Sequence, residues 1–132
     1  MRRNKMGRYY HGDIEGKFWF GVQSSDDGTF FGAQEYQNTI DYLVDDADQV
    51  KDGIEKCNLA LGDHLNKLSA FFKDAHSYND QMIIDYYKEH FKEDITEEKI
   101  RHLLAWYARL LLGKEILECV EENGQCAFTA EL

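Results

Sequence analysis

Apolar and polar positions alternate from Glu15 to Val22: Gly16, Phe18, Phe20 and Val22 fall on one side, Glu15, Lys17, Trp19 and Gly21 on the other. A period of two marks a half-buried strand. Ser24, Ser25, Asp26, Asp27 and Gly28 follow as a turn, with Gly28 free to take positive φ. The alternation returns at Ile40, Tyr42 and Val44, and again over Gln125 to Leu132, where Cys126, Phe128, Ala130 and Leu132 share a face.

Between these strands the period changes. Val50, Ile54, Cys57, Leu61, Leu65, Leu68 and Phe72 recur every three or four residues, predicting a helix over about Asp46 to Lys73. Gly53 and Gly62 each weaken it by about 1 kcal/mol relative to alanine, so a bend or break is expected near Gly62. A second helix runs from about Asn79 to Phe91, with Ile83, Ile84, Tyr87 and Phe91 inward. A third begins after Asp94 or Thr96, with Glu97 and Glu98 in its first turn, and ends at Asn123-Gly124.

That third helix changes face. Ile100, Leu103, Leu104, Tyr107 and Leu111 cluster on one side, but after Gly113 the apolar Ile116, Leu117 and Val120 lie on another. Glu115, Glu118 and Glu122 take the direction that was apolar before. The helix either breaks at Gly113 or packs its halves against different neighbours: a second subunit, or other parts of a single monomer's core. The pattern as a whole predicts an α+β fold. About three mainly antiparallel strands, from the N-terminal third and the C-terminal end, are covered by about three helices.

Composition narrows the class. The chain has 132 residues, 43% of them hydrophobic and 14% aromatic, which suits one globular domain over residues 9–132. No apolar run is long enough for a membrane span, and no apolar segment follows the basic N-terminus as in a signal peptide. Three cysteines with no CxxC pair imply free thiols in a reducing cytoplasm. Cys57 on the helical stripe and Cys126 on an inward strand face are expected in the core.

The net charge is −10; Arg2, Arg3, Lys5 and Arg8 contribute +4, leaving −14 on residues 9–132. Residues 1–8 are expected to be a flexible basic tail. The acidic remainder excludes nucleic acid as a main partner, because phosphate binding rests on neutralisation by Lys and Arg.

Catalytic motifs are lacking. The five histidines are scattered, and there is no HExxH, GxSxG, Walker or GxGxxG element. Glu98 and His102 stand at i and i+4, a spacing more often used for a salt bridge than for a metal. No metal or cofactor is therefore expected.

Two surfaces stand out. Arg8 to Gly32 holds seven of the eighteen aromatics and five of the ten glycines. In an extended chain Tyr9, His11, Asp13, Glu15, Lys17 and Trp19 share one parity. We expect a non-enzymatic binding or sequestering protein with a site in this N-terminal hairpin. Tyr9 and Trp19 would stack on a small, planar, anionic or nucleotide-like ligand, with Arg8, His11 and Lys17 as donors. A homo-oligomer would complete the site.

The alternative is a row of carboxylates, Asp45, Asp48, Asp52 and Glu55, opposite the apolar stripe of the first helix. It would imitate a nucleic-acid backbone and inhibit a basic partner protein. A third reading, a small enzyme, has only His11 beside Asp13 or Glu15 as its titratable centre.

Overall fold

Gly12 turns the first strand back on itself. In the computed structural model, which describes residues 9–17, 27–35, 41–75 and 77–131, β1 (Tyr9–Gly12) and β2 (Gly16–Lys17) form a short antiparallel hairpin. The structure then gives a 3-10 turn at Asp27–Phe31, β3 (Gln34–Glu35) and β4 (Asp41–Val44). Four helices follow: α1 (Ala47–Leu61), α2 (His64–Asp74), α3 (Asp80–Phe91) and α4 (Glu97–Asn123). The chain returns as β5 (Cys126–Glu131).

β5 is the central strand. The sheet order is β2-β1-β5-β4-β3, and every described pairing is antiparallel. Tyr10 pairs with Ala130, Tyr42 with Phe128 and Val44 with Cys126. All six of these side chains are buried. Phe128 meets Tyr10 edge-on at 5.8 Å and Tyr42 at 5.6 Å, so three rings tie three strands together.

The α+β expectation therefore holds. The sheet has five strands where about three were expected, the two at its edges being two residues long. The alternation at 40–44 and 125–132 is matched by β4 and β5. The expected strand at 15–22 is matched at Gly16 and Lys17; Glu15 precedes β2, and residues 18–22 lie outside the described residues.

The helices begin and end where local chemistry allows. Asp46 caps α1 by accepting from the amides of Asp48 and Gln49 at 3.0 and 3.3 Å. Asn79 caps α3 through the Met82 amide at 2.8 Å, and Thr96 caps α4 through the Lys99 amide at 3.1 Å. Gly62, at φ 55°, ends α1, so the long helix expected over 46–73 is two helices. Gly124, at φ 85°, ends α4.

α4 does not break at Gly113. It runs for 27 residues through the middle of the protein. Its first half meets α2 and α3: Phe72 stacks on Tyr107 at 5.8 Å, and Arg101 pairs with Asp80 at 3.3 Å. Its second half packs against α1, the 3-10 turn and β5. The change of face follows from these two sets of neighbours within one chain.

Gly113 has a packing role. A Cβ there would stand 2.5 Å from Cε1 and 2.6 Å from Cζ of Phe31, a ring with 0% exposure. Gly53 of α1 approaches the same edge of that ring, its Cβ position 2.6 Å from Cδ1 and 2.9 Å from Cε1. The two glycines let α1 and α4 close on Phe31. Gly28, which is free to take positive φ, lies inside the 3-10 turn at ordinary φ. Its hydrogen makes room for Phe128, whose Cζ would be 2.9 Å from a Cβ.

Candidate functional site

The hairpin turn and the second half of α4 enclose an acidic cleft. Gly12 sits at φ 113°, and a Cβ there would meet the Ala127 carbonyl oxygen at 2.7 Å. The chain thereby turns flush against β5. Asp13 continues the ladder with its backbone and its side chain: its amide donates to the Ala127 carbonyl, and its Oδ2 accepts from the Ala127 amide, both at 2.9 Å. Ile14 is buried beneath the turn, and Glu15 is exposed at its end.

Across the cleft, Glu115, Glu118 and Glu122 occupy one face of α4 at helical spacing. With Asp13 and Glu15 they place five carboxylates around a cavity of about 270 Å³, lined also by Ile14, Cys119 and Asn123. Cys119 is 7% exposed; its Sγ donates to the Gln125 carbonyl at 3.6 Å and accepts from Asn123 Nδ2 at 3.7 Å. Burial, reinforced by neighbouring Glu118, raises the Glu115 pKa above the usual carboxylate value. An incoming cation would reverse that strain. These glutamates are the ones that displaced the apolar face in the sequence, so the change of face was the signal of this wall.

A second, smaller cleft of about 190 Å³ lies between the 3-10 turn and α1, lined by Thr29, Phe30, Gln49, Asp52 and Lys56 among others. Next to it, Arg109 is held between aromatic rings, its guanidinium carbon 4.6 Å from the Phe30 centroid and 4.7 Å from that of Trp106. Its Nε donates to Asp27 Oδ1 at 3.1 Å. Asp27 is 3% exposed, so the residue expected in a solvent turn is a buried carboxylate that fastens the turn to α4.

The residues expected to bind ligand are only partly described. Arg8 and Trp19 lie outside the described residues. Tyr9, His11 and Lys17 are described through their backbone: Tyr9 pairs with Lys17 and Glu131, and His11 with Thr129. Of the expected acidic row, Asp48, Asp52 and Glu55 are exposed on α1, and Asp45 precedes the N-cap, off the helix. Lys56 approaches Asp52 at 3.9 Å, diluting the row.

Cys57 and Cys126 are in the core with 0% exposure, as expected. Burial pushes the Cys57 thiol up to about 11, and burial followed by contact with Cys119 raises that of Cys126. Glu98 and His102 are both exposed on α4. Among the described residues, no three His, Cys, Asp or Glu side chains are grouped so as to hold a metal ion. No helix among them is long and apolar enough to cross a membrane.

The chain is thus an α+β protein with an acidic cleft beside its central strand. No family model matches it, and neither a curated protein nor a solved structure is similar to it.

Proposed function

We propose that this is a non-enzymatic binding protein that engages a cationic partner, in the first instance a basic protein surface of the kind that binds nucleic acid. The observation that carries this reading is the five-carboxylate cleft. Its walls come from two distant parts of the chain, and burial, with Glu118 beside it, raises the pKa of its Glu115. A cationic group entering between Glu115 and Glu118 favours both charged carboxylates, whereas an anionic ligand adds to their repulsion. Complementary charge of this type speeds association and selects partners more than it adds raw affinity. In this reading the protein works in a reducing cytoplasm with its thiols free.

The test is fluorescence anisotropy with a labelled oligo-lysine peptide at low salt. Each exposed carboxylate is worth about 0.2–1 kcal/mol toward a cation. E115Q/E118Q/E122Q is therefore expected to weaken binding by about threefold to a hundredfold, and salt to abolish it. D48N/D52N/E55Q on α1, which removes the same number of charges, is expected to weaken it less. Equal losses from the two variants would leave net charge, not the cleft, as the cause.

A second reading keeps the N-terminal hairpin as a site for a small planar anionic ligand, separate from the cleft and centred on Tyr9 and Lys17. It is favoured by the backbone register, in which Tyr9 and Lys17 are direct partners. Trp19→Ala is then expected to abolish nucleotide binding with the far-UV spectrum intact. Loss of fold would make Trp19 a core residue.

A further inference from the structure

Away from the cleft, α2 and α3 meet through a small polar cluster. His64 Nδ1 lies 2.8 Å from the Tyr87 hydroxyl, with the two rings stacked at 5.6 Å. Lys67 Nζ donates to Glu93 Oε1 at 2.7 Å and lies 5.7 Å and 5.0 Å from the ring centroids of Tyr87 and Phe91. Tyr87 has 0% exposure, and His64 is half-buried. A titratable ring reachable from solvent is therefore bonded to a phenol that is sealed in the core.

We propose that the His64–Tyr87 hydrogen bond is an acid-sensitive latch that holds α2 against α3 and loosens this corner when the imidazole takes up a proton. Burial keeps the Tyr87 phenol protonated far above neutral pH, so its O–H is available to donate. A neutral imidazole with a bare Nδ1 accepts that proton's hydrogen bond. Protonation places a hydrogen on the formerly bare Nδ1, facing the hydrogen of the phenol. The phenol must then turn its O–H away inside a closed pocket, where a polar hydrogen without an acceptor is costly.

The surrounding charges set the direction. Burial lowers the His64 pKa below 6.5; Glu93 and Asp63 pull it upward, while Lys67 and Lys99 push it further down. A lowered folded-state pKa means that the unfolded chain binds the proton more readily. The stabilisation is therefore complete above about pH 6.5 and is lost as pH falls through the lower folded value. Lys67–Glu93 does not explain a change in that window, because the hydrogen bond from Lys67 holds Glu93 below the usual carboxylate range. The latch is independent of the cationic-partner reading.

Hydrogen exchange of the full chain at pH 7.5 and 5.5, corrected for intrinsic rates, tests it. Amides of α2 and α3 are expected to lose protection by up to about tenfold per pH unit, the limit for one proton, while those of α1 and α4 hold. H64N, which keeps an acceptor and cannot titrate, is expected to abolish the loss. His90, whose ring lies tilted against Tyr86 at 4.2 Å, remains in that variant and serves as an internal control. Unchanged protection in the wild type, or an equal loss in H64N, overturns the proposal. So does an NMR titration midpoint for wild-type His64 at or above 6.5.

Discussion

Replacing Gly113 by alanine is expected to destabilise the protein even though it improves the helix. Taken alone, the change favours α4 by about 1 kcal/mol, because glycine is the poorer helix former. The new Cβ would stand 2.5 Å and 2.6 Å from two carbons of the Phe31 ring, where carbon pairs rest at about 3.5–4.0 Å. The ring has to recoil by about 1 Å. The ring is 0% exposed, so it can retreat only into packed atoms, and the new Cβ would also stand 3.1 Å from Ile54 Cγ1 of α1.

Overpacking of this kind costs about 1–3 kcal/mol, and the second clash, with Ile54, puts this site toward the upper end. The net loss is then about 1–2 kcal/mol. Urea denaturation followed by far-UV circular dichroism reads it as a lower midpoint at unchanged slope. Phe31→Leu in the same background is expected to recover part of the loss, so the two changes will be non-additive. A Gly113→Ala protein more stable than wild type by the helix-propensity gain would refute the reasoning, because the ring would then have room to move.

Two further outcomes follow from the buried polar groups. Arg109→Met removes the guanidinium from a carboxylate that is 3% exposed, and is expected to cost about 3 kcal/mol by chemical denaturation. Asp27→Asn in the same chain is expected to restore part of it; a near-neutral Arg109→Met would mean that the pair does not fasten the 3-10 turn. With its thiol pushed up to about 11, Cys57 is expected to resist an aromatic disulfide reagent at pH 8 until the protein is unfolded. Peptide mapping of the labelled sites checks this, and rapid native labelling of Cys57 would contradict its burial.

Much of the fold is legible in the chain because its causes are local. The Asn79 and Thr96 caps and the Gly124 stop each act within a few residues, and each is used. Period-two alternation marked Tyr42, Val44, Cys126, Phe128 and Ala130 as inward, and all are buried. The break at Gly62 followed from the weakness of glycine in a helix. The site was less legible. Asp27 looked like an ordinary turn residue, because nothing near it in sequence announces Arg109, 82 residues away. The carboxylates of α4 were visible as an interrupted apolar face, but that pattern alone could not distinguish a subunit boundary from the wall of a cleft.

By itself, the sequence determined the elements, their buried faces and the acidic balance, since propensity, capping and periodicity depend on neighbours along the chain. The tertiary structure decided which distant groups meet. Asp13 joins β5 across 114 residues, so the hairpin turn is brought beside the last turns of α4. Only that closure gathers Asp13 and Glu15 with Glu115, Glu118 and Glu122. Their electrostatics depend on distance through space, a quantity that spacing along the chain does not carry.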